Sequence, residues 1–174
     1  MTLINSVTQF LSILTLIGGI FIIGFLILFI YHKLQKRQLK LEFLENNSLI
    51  FAFIVALIAT LGSLFYSEIA GYTPCKLCWF QRIFMYPLPI LLGTALIRKA
   101  RNIAYYAIPL SLIGGAIAVY HYIVQRMEYA TSCSVEGVSC TVKYTFNFGY
   151  ITIPMMALTA FGLIILFTYL WKKR

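Results

Sequence analysis

The sequence predicts an all-α integral membrane protein, a four-helix transmembrane bundle preceded by one extra N-terminal transmembrane helix. Three observations predict it. The 174 residues are 61% hydrophobic and 11% charged, with a mean hydropathy of +0.87, whereas a soluble domain carries about 25% charged residues. Five apolar runs, 10–30, 49–69, 78–97, 103–123 and 150–171, each reach the roughly 20 residues that cross a bilayer. Ten of the fourteen basic residues fall in three alternate connections: Lys33, Lys36, Arg37 and Lys40; Arg98, Lys99 and Arg101; Lys172, Lys173 and Arg174. By the positive-inside rule those connections are cytoplasmic, which puts the N-terminus outside and the C-terminus inside. The net charge of +9 therefore marks membrane edges and not a nucleic-acid face. The spans leave no room for a soluble domain.

The run 10–30 has no Lys or Arg before Lys33 and is longer than the apolar core of about 7–15 residues in a secretory signal. It reads as a retained helix whose main role is anchorage, with Gly18, Gly19 and Gly24 available for close packing. Residues 1–48 form this helix and a cytoplasmic linker, and residues 49–174 form the four-helix unit. The linker 31–48 fits either an amphipathic surface helix or an ordinary solvated connection, with His32 as an interfacial residue. Ala52, Ala56 and Thr60 in the second span, and Ala107, Ser111 and Gly115 in the fourth, are small-residue stripes that let helices approach. Pro87 and Pro89 interrupt the third span. Trp171 marks the inner edge of the last.

The chemistry gathers at Cys75-Lys76-Leu77-Cys78-Trp79-Phe80-Gln81-Arg82, between the second and third spans. Pro74 suits a helix start, so both cysteines lie within one turn of a helix N-terminus, where unpaired N–H groups favour a thiolate. Arg82 falls one turn past Cys78. A charged residue inside a span is a functional candidate, and snorkelling to the interface is the competing explanation. His121 and Gln125 end the fourth span at the same depth. Cys133 and Cys140 lie in the following loop, with Gly137 permitting a turn between them. A local disulfide there is sterically feasible, but four cysteines allow three pairings. All four face outward, where disulfides persist, and a single Cys-x-x-Cys is a poor match to paired zinc ligands. No metal is expected; a cysteine-ligated membrane metal carrier is the competing class.

The Cys-x-x-Cys-Trp-x-Gln-Arg run, His121 with Gln125, the second cysteine pair, and Phe148-Gly149 followed by Pro154 resemble the DsbB/BdbC family of membrane disulfide-bond formation proteins over about 49–171. The resemblance implies a protein-disulfide oxidoreductase of the bacterial cytoplasmic membrane with its active cysteines on the outer face. It implies a Cys133–Cys140 disulfide that oxidises a soluble, DsbA-like thioredoxin-fold partner through attack on Cys133. Electrons would pass to Cys75 and Cys78 and from Cys78 to membrane quinone (ubiquinone or menaquinone), with Arg82 and His121 bordering the head group. The extra first helix and the short Cys133–Cys140 spacing depart from the best-known bacterial members. The vitamin K epoxide reductase type shares the chemistry, but its Cys-x-x-Cys follows its loop pair, the reverse of the order here.

Overall fold

An apolar chain in lipid has no water to satisfy its peptide groups, so each run must bond internally and folds as a helix. The computed structural model describes residues 2–35, 42–127 and 139–173, and helices dominate it. They are α1 (Thr2–Leu34), α2 (Glu42–Leu64), α3 (Lys76–Met85), α4 (Pro87–Arg98), α5 (Ala104–Met127) and α6 (Ile153–Lys173). α2 runs on through a π-helical turn at Phe65–Ile69. Five stretches are long and apolar enough to cross a membrane, α3 and α4 together making the third.

The helices outrun their apolar cores. α1 reaches Leu34 and α2 begins at Glu42, so the ends of the expected linker are helical continuations of the spans. The remainder, 36–41, with Lys36, Arg37 and Lys40, lies outside the described residues. The α3/α4 junction is the predicted proline interruption. Pro87 lacks an N–H and takes the first position of α4, where none is needed. Tyr86 N–H still bonds Arg82 C=O at 2.9 Å and Tyr86 keeps a helical backbone, so the span runs on through the junction.

Small residues bring the helices together. On α2, Ala52 and Ala56 are fully buried beside Leu88 and Leu92 of α4. Between α5 and α6, Gly114 lies so close to the Phe161 ring that a Cβ there would collide with it. α1 packs along α6: a Cβ on Gly18 would stand 2.9 Å from Leu163 Cδ1, and one on Gly162 would stand 3.1 Å from Ile22 Cδ1. Gly19 and Gly24 face open space, so one of the three predicted packing glycines of α1 meets a neighbour.

The two ends of the bundle differ. At one, Trp171 Nε1 donates to Ala100 C=O at 3.2 Å and Lys172 lies over the Tyr105 ring, which joins the basic end of α6 to the basic α4–α5 connection. At the other, Tyr144 OH donates to Thr73 C=O at 3.2 Å, joining the Cys-x-x-Cys loop to the segment before α6. That segment turns at Phe148 (φ 51°) and Gly149 (φ 75°), closed by reciprocal backbone bonds between Asn147 and Ile151 of 3.0 and 2.9 Å.

Candidate active site

Gly71 (φ 68°) takes a backbone conformation that suits glycine, and Pro74 leads the chain into α3. Cys75 is the N-cap, in extended conformation. Cys78 is therefore in the first turn, with its sulfur 3.4 Å from that of Cys75. The two differ in surroundings. Cys75 is buried and Cys78 partly open. Cys75 donates to Cys78; that bond first, and burial second, push the Cys75 thiol up to about 12. Cys75 thus keeps its proton and offers it to Cys78.

Behind Cys75 stands His121, 1% exposed. Its Nε2 lies 3.1 Å from the Cys140 carbonyl oxygen and 3.6 Å from Cys75 Sγ, and its Nδ1 lies 3.0 Å from Gln81 Nε2. A carbonyl can only accept, so Nε2 carries the proton and Nδ1 accepts from the Gln81 amide. This network fixes both the ring orientation and the tautomer. Cys140 is buried in one apolar cluster with Cys75, Leu77 and Val124, bordered by Cys78. Gln125 secures the same segment by donating to Val142 C=O at 2.9 Å. Three of the four expected cysteines therefore meet at one place. Cys133 lies outside the described residues.

On its other side, Cys78 opens onto a cavity of about 230 Å³ between α1, α2, α3 and α6, partly open to its surroundings. Its walls are mainly aliphatic and aromatic, with Cys78, Gln81 and Arg82 among the few polar groups. Arg82 donates to Ser63 C=O at 3.2 Å and lies 5.3 Å over the Trp79 ring. Among the described residues it has no carboxylate partner, so most of its five N–H donors remain available at the cavity. Tyr66, Tyr72 and Tyr144 also line the cavity as a stack, with ring centroids 5.8 and 4.6 Å apart. His121 is not in this wall; with Cys75, Cys78 and Gln125 it lines a smaller adjoining pocket, which shares Cys78, Tyr144 and Ile153 with the first.

The ligand atoms of Cys75, Cys78 and His121 lie within 4.8 Å of one another, a spacing that a soft metal ion accepts. Binding one would require Nε2 to give up its proton and its bond to Cys140.

The family profile described as disulfide bond formation protein DsbB matches residues 45–171. The chain belongs to the DsbB family. It is 44% identical over 132 residues to disulfide bond formation protein C of Bacillus subtilis, covering 73% of this chain and 96% of that protein. It is 44% identical over 119 residues to the probable disulfide formation protein C 1 of Bacillus anthracis, covering 67% and 86%. A probable disulfide formation protein of Chlamydia caviae is 41% identical over 121 residues, covering 70% and 88%. No solved structure gives a significant match. Membership makes the chain a multi-pass membrane protein with a thiol–disulfide oxidoreductase role. The profile leaves α1 outside its match.

Two features of this DsbB-family site escape a reading of sequence. Gln81 sets His121; its place in the Cys-x-x-Cys-Trp-x-Gln-Arg run and its polar side chain within an apolar span marked it, but neither pointed to His121. The tyrosine stack joins residues that are far apart along the chain and left no local pattern.

Proposed function

We propose that this DsbB-family protein reoxidises a soluble, DsbA-like thioredoxin-fold partner outside the cytoplasm and passes the electrons to membrane quinone. The observation that carries this reading is the two-sidedness of the first turn of α3. Cys75 faces His121 and Cys140, while Cys78 and Arg82 face an apolar cavity.

The relay begins in the loop of Cys133 and Cys140. A partner thiolate attacks Cys133 Sγ and opens the Cys133–Cys140 bond, and the partner's second thiol then displaces Cys133, leaving the partner oxidised and both loop cysteines reduced. The Cys140 thiolate attacks Cys75 Sγ of an oxidised Cys75–Cys78 pair and releases Cys78 as a thiolate. Cys133 displaces Cys75 from Cys140, which restores the loop disulfide and leaves Cys75 and Cys78 reduced. Each exchange needs a thiolate and an accessible sulfur, and a leaving group of lower pKa departs faster. The Nε2–H of His121, within 3.6 Å of Cys75 Sγ, can stabilise negative charge developing there.

The cavity fits a quinone: it is ring-sized and mainly apolar, with a cationic donor and Cys78 in its wall. Bound there, ubiquinone or menaquinone supplies the two-electron oxidant that regenerates the Cys75–Cys78 disulfide. Arg82 holds positive charge beside Cys78 and offers N–H donors to a ligand that gains negative charge. Tyr66, Tyr72 and Met156 give the ring an apolar bed and exclude water. His121 serves the exchange side of the pair, and the cavity side belongs to Arg82.

The test is anaerobic quinone reduction driven by a reduced thioredoxin-fold partner. Cys78→Ser and Cys75→Ser should abolish it; quinone reduction at the wild-type rate by Cys78→Ser overturns the reading.

A further inference from the structure

We propose that α1, beyond anchoring the chain, forms a wall of the acceptor cavity, and that Leu14 with Leu11 and Thr15 determines which quinone ring the cavity admits. The inference rests on the quinone reading of that cavity.

Leu11, Leu14 and Thr15 all line the cavity that Cys78, Gln81 and Arg82 of α3 also line. They can do so because α1 is held in register by polar bonds in an otherwise apolar helix. Ser12, fully buried, accepts from Asn147 Nδ2 at 2.8 Å, which ties α1 to the turn before α6. Thr8 Oγ1 accepts from Tyr66 OH at 3.4 Å, which ties it to a ring of the cavity wall. Thr8, Ser12, Thr15 and Gly18 fall three or four residues apart and form one buried stripe, whereas Ile13 and Ile17 on the opposite face are 46% and 58% exposed. Leu11 seats against Gly62 of α2, where a Cβ would stand 3.1 Å from its Cδ1. A helix serving only as an anchor needs an apolar surface; it does not need buried hydroxyls bonded to the loop and the tyrosine beside the site.

Part of the cavity wall is thus a segment that the family profile does not cover. Side-chain volume at Leu14 changes the space for a ring directly, and in an apolar pocket a single methylene can shift discrimination about tenfold.

The test uses the full-length protein in detergent. Binding of a benzoquinone and a naphthoquinone with the same short tail is read from ligand-induced thermal stabilisation, alongside KM and kcat. Leu14→Trp should weaken binding of both quinones about tenfold and raise KM in proportion, with kcat little changed. Leu14→Ala should shift the ratio of the two affinities about tenfold. Ile17→Trp on the lipid face should leave both affinities at the wild-type values. If Leu14→Ala keeps the wild-type ratio while the wild-type chain binds quinone, the role of α1 is overturned and the quinone reading stands. If the wild-type chain binds neither quinone, both fall. A Leu14→Trp chain that does not fold leaves Leu14→Ala to decide.

Discussion

Replacing Gln81 by Leu removes the group that donates to His121 Nδ1 at 3.0 Å. Both residues are almost completely buried, so no water replaces the lost amide. The acceptor left unpaired costs about 1–3 kcal/mol. The ring can recover by moving its proton to Nδ1, but Nε2 would then point a lone pair at the Cys140 carbonyl oxygen 3.1 Å away, so the recovery is repulsive. The penalty corresponds to about a 5- to 150-fold loss of correctly oriented imidazole. Gln81→Leu should therefore slow exchange between the loop cysteines and the Cys75–Cys78 pair by about tenfold, and change the quinone affinity of the cavity, whose wall Gln81 also borders, by clearly less. Rapid-quench trapping of thiols after adding reduced partner measures the exchange, and thermal stabilisation by quinone measures the cavity. Wild-type exchange in a folded Gln81→Leu protein refutes the positioning role. A fall in quinone affinity as large as the fall in exchange rate refutes the separation of the two sides.

Arg82→Ala should raise KM for quinone about 10- to 100-fold, the worth of a charge-assisted hydrogen bond, with the partner's mixed disulfide still forming; steady-state kinetics with trapping of the adduct checks both. A partner lacking its resolving cysteine should form a covalent adduct through Cys133, and an adduct that persists in Cys133→Ser, seen on a non-reducing gel, shows the entry point to be another cysteine. Gly114→Ala should destabilise the bundle by about 1–3 kcal/mol, because the added methyl meets the fully buried Phe161 ring; thermal unfolding in detergent measures it.

The spans were legible because each is a long run whose hydropathy needs no partner to be recognised, and the Cys-x-x-Cys pair because its chemistry lies within four consecutive residues. The helix ends were less so: polar residues such as Glu42 and Glu45 extend α2 beyond its apolar core, and hydropathy cannot see them. Contacts across the bundle were harder still. His121 and Arg82 share a depth in the sequence, yet Arg82 lines the large cavity and His121 the smaller pocket beside Cys75, since depth says nothing of rotation about the helix axis. The role of α1 was hidden for a related reason. Its Thr8, Ser12 and Thr15 are few among many apolar residues, and their meaning rests on Asn147 and Tyr66 elsewhere in the chain.

That rotation has a chemical consequence. Cys-x-x-Cys at the start of a helix puts one sulfur at the cap and the next about one turn on, so the two lie close enough to exchange a disulfide while facing different neighbours. If both faced the cavity, Cys140 could reach Cys75 only by displacing the acceptor. If both faced Cys140, electrons would have no path into the cavity. With Cys75 against His121 and Cys140, and Cys78 between that cluster and the cavity that Arg82 lines, the proposed thiol exchange and electron transfer to the acceptor would each have a sulfur of its own in one helical turn. The proton of Cys75, held by its bond to Cys78, links the two sides. Cys75 stays a thiol while Cys78 receives its hydrogen bond, so the sulfur facing the cavity is the one whose negative charge the site supports.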